Sequence, residues 1–299
     1  MTEYFSLAYG MQQLSDSPAP AYVSDCLLTK ATRAHAQSVA FEDGRRSLTF
    51  TQLLAQANVL AAGIQHTTGL ARPRVAVLSH NSLEMAVAIM AIDAGGFWLI
   101  PLNPRSARAE IDQQVALVQP DMLIVEPGLA EGFAAAGIRV LLTHPKGIAD
   151  TIASLMERFP GVTPFFACTD PGEPNAIKFT GDSSGRPKAV VQSVRTVITV
   201  AATVATAFEL RSDEVYLLTA PMIHGAGAFM LPVLACGGRC VIIEQPRPAA
   251  VAQALEQFGA TMTWMPPTLL YMLMDLPDIG QRNFGRLRHL IWSGAPASV

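Results

Sequence analysis

Thr180, Ser183, Ser184, Arg186 and Lys188 crowd into one short stretch of this sequence, interleaved with Gly181 and Gly185. Hydroxyls, a guanidinium and an ammonium around permissive glycines are the parts of a polyanion cradle. Glycine lets backbone N–H groups approach a ligand closely, and a lysine adds a compact point charge. The chemistry this suits is polyphosphate binding. The flanks say how the cradle is held: Ala176 to Thr180 reads as a short strand, and Val190-Val191 resumes β-branched character after Pro187. A strand–loop–strand over 176–191 is expected.

Two other motifs compete for the same residues. A Walker A loop needs four residues between its glycines and Lys-Ser/Thr directly after, whereas only three separate Gly181 from Gly185. Gly181-Asp182-Ser183-Ser184-Gly185 does fit G-x-S-x-G, the nucleophile elbow of hydrolases. An elbow runs straight from strand into helix, and Pro187 biases Arg186 away from helical backbone. An ordinary turn-rich hairpin remains open for the loop taken alone.

The elements that must position this loop follow from hydrophobic period. A helix is expected from Thr29 to Ala36, then a strand at Val39 to Phe41, with Asp43-Gly44 turning into Ser47 to Phe50. Thr51 caps a helix whose apolar residues Leu53, Leu54, Ala57, Leu60, Ala61 and Ile64 recur with a 3.6 period. Val75 to Leu78, Trp98 to Ile100 and Met122 to Val125 are short apolar runs of the kind found in strands buried on both faces. Helices starting at Asn81 or Ser82 and near Ser106 separate them. Residues 127–175 look irregular. Beyond the loop, a helix at Thr196 to Phe208 precedes Val215 to Thr219. Next come Pro221-Met-Ile-His-Gly-Ala-Gly227, a helix to Cys236 and a strand at Cys240 to Ile243. A helix at Ala249 to Phe258, a strand at Thr261 to Met265, a helix opened by Pro266-Pro267, and a strand at Leu287 to Trp292 complete the order. Strands alternating with helices mean βαβ units and a mostly parallel sheet.

The loop resembles the phosphate-binding signature of the adenylate-forming superfamily: acyl- and aryl-CoA synthetases, peptide-synthetase adenylation domains and luciferases. That signature reads Thr-Ser/Gly-Gly-Ser/Thr-Thr-Gly-x-Pro-Lys-Gly-Val. Thr180, Gly181, Ser183, Ser184, Gly185, Pro187, Lys188 and Val190 match it in register. Asp182 and Ala189 stand where the family has glycine, and Val194 where a His commonly follows Ser/Thr. A carboxylate about 5 Å from a phosphate charge repels it by about 3 kcal/mol at an effective dielectric near 20, which Arg186 and Lys188 can offset. Leu48-Thr-Phe50 with Leu53 and Asn58, Asn81-Ser82, Pro101-Leu-Asn103, the His224 segment, Trp264 to Thr268 and Gly294-Ala295-Pro296 fall in family order across residues 27–298.

The resemblance implies an α/β fold of two lobes of mostly parallel β-sheet flanked by helices. It divides the chain into a loose lead-in at 1–26, a first subdomain at 27–170 and a second, with the phosphate loop, at 171–299. The implied reaction joins a carboxylate to the α-phosphorus of ATP and then passes the acyl group to the thiol of CoA, with Mg2+ as cofactor. Thr180, Gly181, Ser183, Ser184, Gly185 and Lys188 would hold the phosphates, and Gly294, Ala295 and Pro296 would lie along the adenine. His224, Gly225 and Trp264 would line the acid, and Lys188 and His224 are the implied catalytic pair. No metal ligand is assigned. The family's magnesium motif, ribose aspartate and C-terminal lysine are expected after Val299, so this sequence reads as an N-terminal portion that does not complete acyl-CoA formation by itself. An apolar second lobe, with no acidic residue set to pair an α-amine, favours a fatty or aromatic acid.

A serine hydrolase using Ser183 with His289 or His224 and Asp213 is the alternative. A non-catalytic nucleotide-binding relative, prompted by Asp182, is another.

Composition narrows the classes. Half of the 299 residues are hydrophobic and 15% are charged, which suits a large buried core, and a net charge of −3 disfavours nucleic acid as the main partner. Cys26, Cys168, Cys236 and Cys240 show no metal-ligand spacing and read as free thiols in a reducing compartment. No run reaches the length of a membrane span, and a cytoplasmic protein is expected. The apolar edge at Leu287 to Trp292 invites self-association.

Overall fold

The computed structural model describes residues 28, 31–147, 150–164, 170–180, 187–223 and 225–293. Two compact units emerge. One draws on Gln52–His80 and Glu84–Val200, the other on Lys30–Thr51, Asn81–Leu83 and Ala201–Val299. The units therefore interleave along the sequence.

The first unit holds β3 (Arg74–Leu78), β4 (Trp98–Pro101), β5 (Met122–Val125), β6 (Val140–Leu142), β7 (Pro174–Thr180) and β8 (Lys188–Ser193). They form a six-stranded sheet in the order β6-β5-β3-β4-β7-β8. All neighbours are parallel except β7 and β8, which pair antiparallel at one edge. Each strand alternates its faces. Ala76, Leu78, Ile100, Leu102, Leu123 and Val125 thus meet Ile111, Val115 and Val118 in one core. Those last three lie one or two turns apart along α3 (Arg108–Val118). The guanidinium of Arg108 caps this core, 4.0 Å from the centroid of the Phe133 ring.

α1 (Phe50–Thr68) starts one residue before the expected cap, and the Thr51 hydroxyl instead donates to the Ala36 carbonyl at 3.0 Å. α2 (Leu83–Ala94) is apolar on every side and almost wholly buried, as an interior helix must be. The stretch that looked irregular contains β6 and α4 (Ile152–Arg158), the latter opened by a reciprocal cap between Thr151 and Ser154.

The second unit holds β1 (Val39–Glu42), β2 (Ser47–Thr49), β9 (Val215–Leu218), β10 (Arg239–Ile242), β11 (Met262–Met265) and β12 (His289–Trp292). Their order is β12-β11-β9-β10-β1-β2, parallel except for the β1–β2 hairpin. The hairpin turns where expected: Asp43 Oδ1 accepts from the N–H groups of Arg45 and Arg46, and Gly44 takes φ +81°. Residues 31–35 are helical, close to the expected helix. α5 (Val194–Ala207) follows β8, and α6 (Met230–Ala235) joins β9 to β10. α7 (Pro248–Gln257) and α8 (Pro267–Met274) each begin on a proline, whose fixed φ and missing N–H suit a first turn. Val251, Leu255, Leu269 and Leu273 of these two helices close over Val215, Leu217, Val241 and Met265.

Buried Glu214 locks three strands of this unit together. It accepts from the Thr261 hydroxyl and pairs with Arg288, while the Val215 N–H donates to Thr261 Oγ1 at 2.9 Å. Among the described residues β12 is one edge of the sheet, and Trp292 is half exposed there. Cys236 and Cys240 are free thiols, and burial pushes Cys236 up to about 11. No helix of the described residues is long and apolar enough to cross a membrane.

Candidate functional site

The described site residues predicted from sequence fall into two groups, Thr180 and Lys188 in the first unit and Gly225 and Trp264 in the second. In the first, β7 and β8 run antiparallel as expected, with Thr180 directly opposite Lys188 and Lys178 opposite Val190. Directly opposed residues project from the same face of the sheet, with Cβ atoms about 5 Å apart. Thr180 and Lys188 are therefore carried side by side on one face, at the end of the hairpin next to residues 181–186. Both residues are exposed. Gly181, Asp182, Ser183, Ser184, Gly185 and Arg186 lie outside the described residues.

The base of this hairpin is tied down by a residue that sequence reading passed over. Arg72 donates to the Gly96 carbonyl and the Pro174 carbonyl, each at 2.7 Å, and pairs with Glu173. Nothing local marks Arg72, because its partners come from distant turns. Farther along, Lys178 is half-buried, and loss of water holds its ammonium below the ordinary lysine value.

The described flanks of the loop do not follow the strand-to-helix course of a serine-hydrolase elbow. The chain passes from Pro187 into β8, which doubles back on β7, and α5 begins only at Val194. Asp213 lies 3.4 Å from Arg288 and 3.9 Å from Arg286, while the His289 ring meets Phe208 edge-on at 5.4 Å. That Asp and that His are engaged elsewhere.

In the second unit the chemistry gathers at the carboxyl ends of β9 and β11. β9 is flanked by β10 on one side and β11 on the other, so the chain direction across the sheet reverses around it. Leu217 faces the core under α7 and α8. Tyr216 faces the opposite way, toward the Phe229 ring just before α6. Connections leaving to opposite faces open a crevice between the two strand ends, where parallel sheets bind ligands.

Residues 219–223 and 225–229 follow β9. Four contacts fix them. Thr219 Oγ1 donates to the Trp264 carbonyl at 2.7 Å. Asn81 Nδ2 donates to the Ala220 carbonyl at 2.9 Å, and the Met222 N–H donates to Asn81 Oδ1 at 2.9 Å. The Tyr216 hydroxyl donates to the Ala226 carbonyl at 2.8 Å, and burial raises that phenol well above its usual range, so it stays a neutral donor. Gly227 packs so closely that a Cβ there would lie 1.8 Å from the Met222 carbonyl oxygen.

Two predicted residues meet here. A Cβ on Gly225 would lie 3.3 Å from Cζ2 of Trp264, so the bare glycine backbone packs close to the indole. Gly225 is exposed and Trp264 half-buried, which leaves ring surface open to a flat or apolar ligand. His224, Gly294, Ala295 and Pro296 lie outside the described residues. Sequence reading set Asn81 down as an ordinary helix-start residue, and only the fold shows its second role.

Among the described residues no three His, Cys, Asp or Glu side chains come together as a metal site.

Comparison with known proteins identifies the family and the fold. A family model described as AMP-binding enzyme matches residues 28–299. The chain is 29% identical over 308 residues to 4-coumarate–CoA ligase-like 4 of Oryza sativa subsp. japonica, a match covering 94% of this chain and 54% of the relative. It is 28% identical over 269 residues to feruloyl-CoA synthase of an Amycolatopsis species, covering 89% and 53%. The chain thus spans about half the length of these curated relatives. In fold it is similar to the long-chain-fatty-acid-CoA ligase FadD1 of Archaeoglobus fulgidus, with a TM-score of 0.82 at 20% identity, covering 94% of this chain and 59% of that one.

Proposed function

The chain belongs to the AMP-binding enzyme family, and on that premise we propose that it is part of an acid–thiol ligase that activates an aromatic or fatty carboxylic acid with ATP. The carboxylate oxygen bonds to the α-phosphorus, and the bond to pyrophosphate breaks. The CoA thiol then attacks the acyl carbonyl, a thioester forms, and AMP leaves. Thr180 and Lys188 would hold the phosphates and stabilise the charge that gathers on departing pyrophosphate, with Gly181, Ser183, Ser184 and Gly185 supplying further donors. Gly225 and Trp264 would form a wall for the acyl group, beside His224. Gly294, Ala295 and Pro296 would lie along the adenine.

The observation that carries this reading is the placement of Lys188 opposite Thr180 at the mouth of the glycine-rich loop. The open indole of Trp264 beside Gly225, and relatives named for feruloyl and coumaroyl thioesters, favour an aromatic acid.

The test is acid-dependent exchange of pyrophosphate into ATP by the full-length parent of which this chain is a part, offered ferulate, 4-coumarate and octanoate in turn. Exchange with at least one acid is expected, and Lys188→Met should slow it about 100-fold. Full exchange by the variant would remove Lys188 from the chemistry. Absence of exchange with all three acids, together with labelling of Ser183 by a serine-directed phosphonate, would replace the ligase with a hydrolase.

A further inference from the structure

We infer that Asn81 is a positioning residue for the acid-binding end of the site, because its single carboxamide holds the Ala220–Met222 turn that leads to Gly225 beside Trp264. This rests on the ligase reading above.

The turn has a specific need. Ala220 and Met222 flank Pro221, which has no N–H of its own to give, and both are almost fully buried. Beyond the last ladder bond of β9, the Ala220 carbonyl and the Met222 N–H have left the sheet. Buried backbone groups of this kind require partners. One planar amide supplies an acceptor and a donor at once, and Asn81 delivers both at 2.9 Å. An aspartate in its place would accept but not donate, and a leucine would do neither.

Among the described residues, the other anchors of 219–223 and 225–229 named above come from β9, β11 and the segment itself: Tyr216, Thr219, the Trp264 carbonyl and Gly227. Asn81 alone among these comes from the distant stretch ahead of α2. It is itself buried, so its rotamer is confined by packing. Supporting residues of this sort decide whether a substrate wall sits at productive distance.

The test compares the protein with its Asn81→Asp and Asn81→Leu variants by calorimetry. Two probes are used: ATP alone, and a non-hydrolysable adenylate mimic, cinnamoyl-sulfamoyl adenosine. Amide hydrogen exchange is followed over residues 216–229. The mimic should bind about 10- to 100-fold more weakly to both variants, with Asn81→Asp the milder because it keeps the acceptor for the Met222 N–H. ATP affinity should stay within about twofold, since no part of this turn is assigned to phosphate. Exchange should quicken across 219–226 and not in β9.

Equal loss for ATP and the mimic would show general destabilisation and overturn the inference. So would unchanged affinity for both. If Asn81→Leu fails to fold, Asn81→Asp alone decides by the same split. If the unaltered protein binds ATP but not the mimic, the ligase reading fails. Exchange then judges Asn81 separately: quickening confined to 219–226 keeps its hold on the turn, and no quickening ends it.

Discussion

Gly227 stands against the backbone of Met222 so closely that one added methyl group would lie 1.8 Å from the Met222 carbonyl oxygen. Backbone cannot swing aside as a side chain can. The close approach of Gly227 to Met222 is therefore specified by the absence of a Cβ, and Gly227→Ala should undo it. Overpacking against fixed atoms costs about 1–3 kcal/mol. Urea unfolding should show a loss in that range, with loss of acid binding; an unchanged midpoint would mean the contact relaxes freely.

Gly225→Ala should act differently. Its Cβ would meet Trp264 at 3.3–3.8 Å, an indole that can shift by a few tenths of an ångström. Stability should change by less than about 1 kcal/mol, while preference moves from ferulate toward smaller acids by about 10-fold. Exchange assays across the acid panel read this directly, and an unaltered order of acids would take Gly225 out of the wall.

Lys178 is a charge held partly out of water, and burial keeps its pKa below the ordinary 10.5. A lysine with a depressed folded pKa destabilises the protein while it is charged in both states. That burden lifts as pH rises from the folded value to 10.5. Lys178→Met should therefore raise stability at pH 7, with the gain shrinking as pH approaches 10.5. Chemical denaturation at pH 7 and pH 10 checks the sign; a loss at pH 7 would assign the ammonium a favourable partner.

Asp121 shows the opposite linkage. Burial raises its pKa, but the Arg74 guanidinium and N–H outweigh burial and leave it below the ordinary 3.8. Its Oδ2 accepts from the Arg74 N–H at 2.7 Å, and Arg74 also reaches the Val118 carbonyl at 2.9 Å. The stabilisation is present above pH 3.8 and is lost as pH falls through the lower, folded value. Asp121→Ala should cost about 1–3 kcal/mol between pH 5 and 8, and less below pH 3.8. A difference that persists undiminished at pH 2 would point to packing rather than charge.

Asp182→Gly removes a like charge from the expected phosphate loop. ATP should bind more tightly, by at most about 3 kcal/mol for a carboxylate near 5 Å. Calorimetry giving equal or weaker binding would mean that the carboxylate points away from the phosphates.

How much of this was legible in the sequence depends on the range of the interaction responsible. Val75 to Leu78, Met122 to Val125 and Val215 to Leu218 announced strands because an unbroken apolar run has few other uses at that length. Asp43-Gly44 announced its turn, and Pro266-Pro267 the start of α8, because those residues restrict their own backbone. The hairpin that sets Lys188 opposite Thr180 followed from Pro187 and two valines. β6 and α4 were missed, since three edge residues and a seven-residue helix are too short to display a period.

What only the tertiary structure decided are the pairings between distant stretches. No local pattern states that β9 lies between β10 and β11, that Arg72 ties down β7, or that Asn81 clasps the backbone on both sides of Pro221. A side chain's local preference is fixed by its own atoms and those of its chain neighbours. Which orphaned carbonyl or N–H it satisfies is settled only when the cores close and water is shut out. The sequence by itself thus determined the chemistry and the elements of this protein, and packing decided which of them meet.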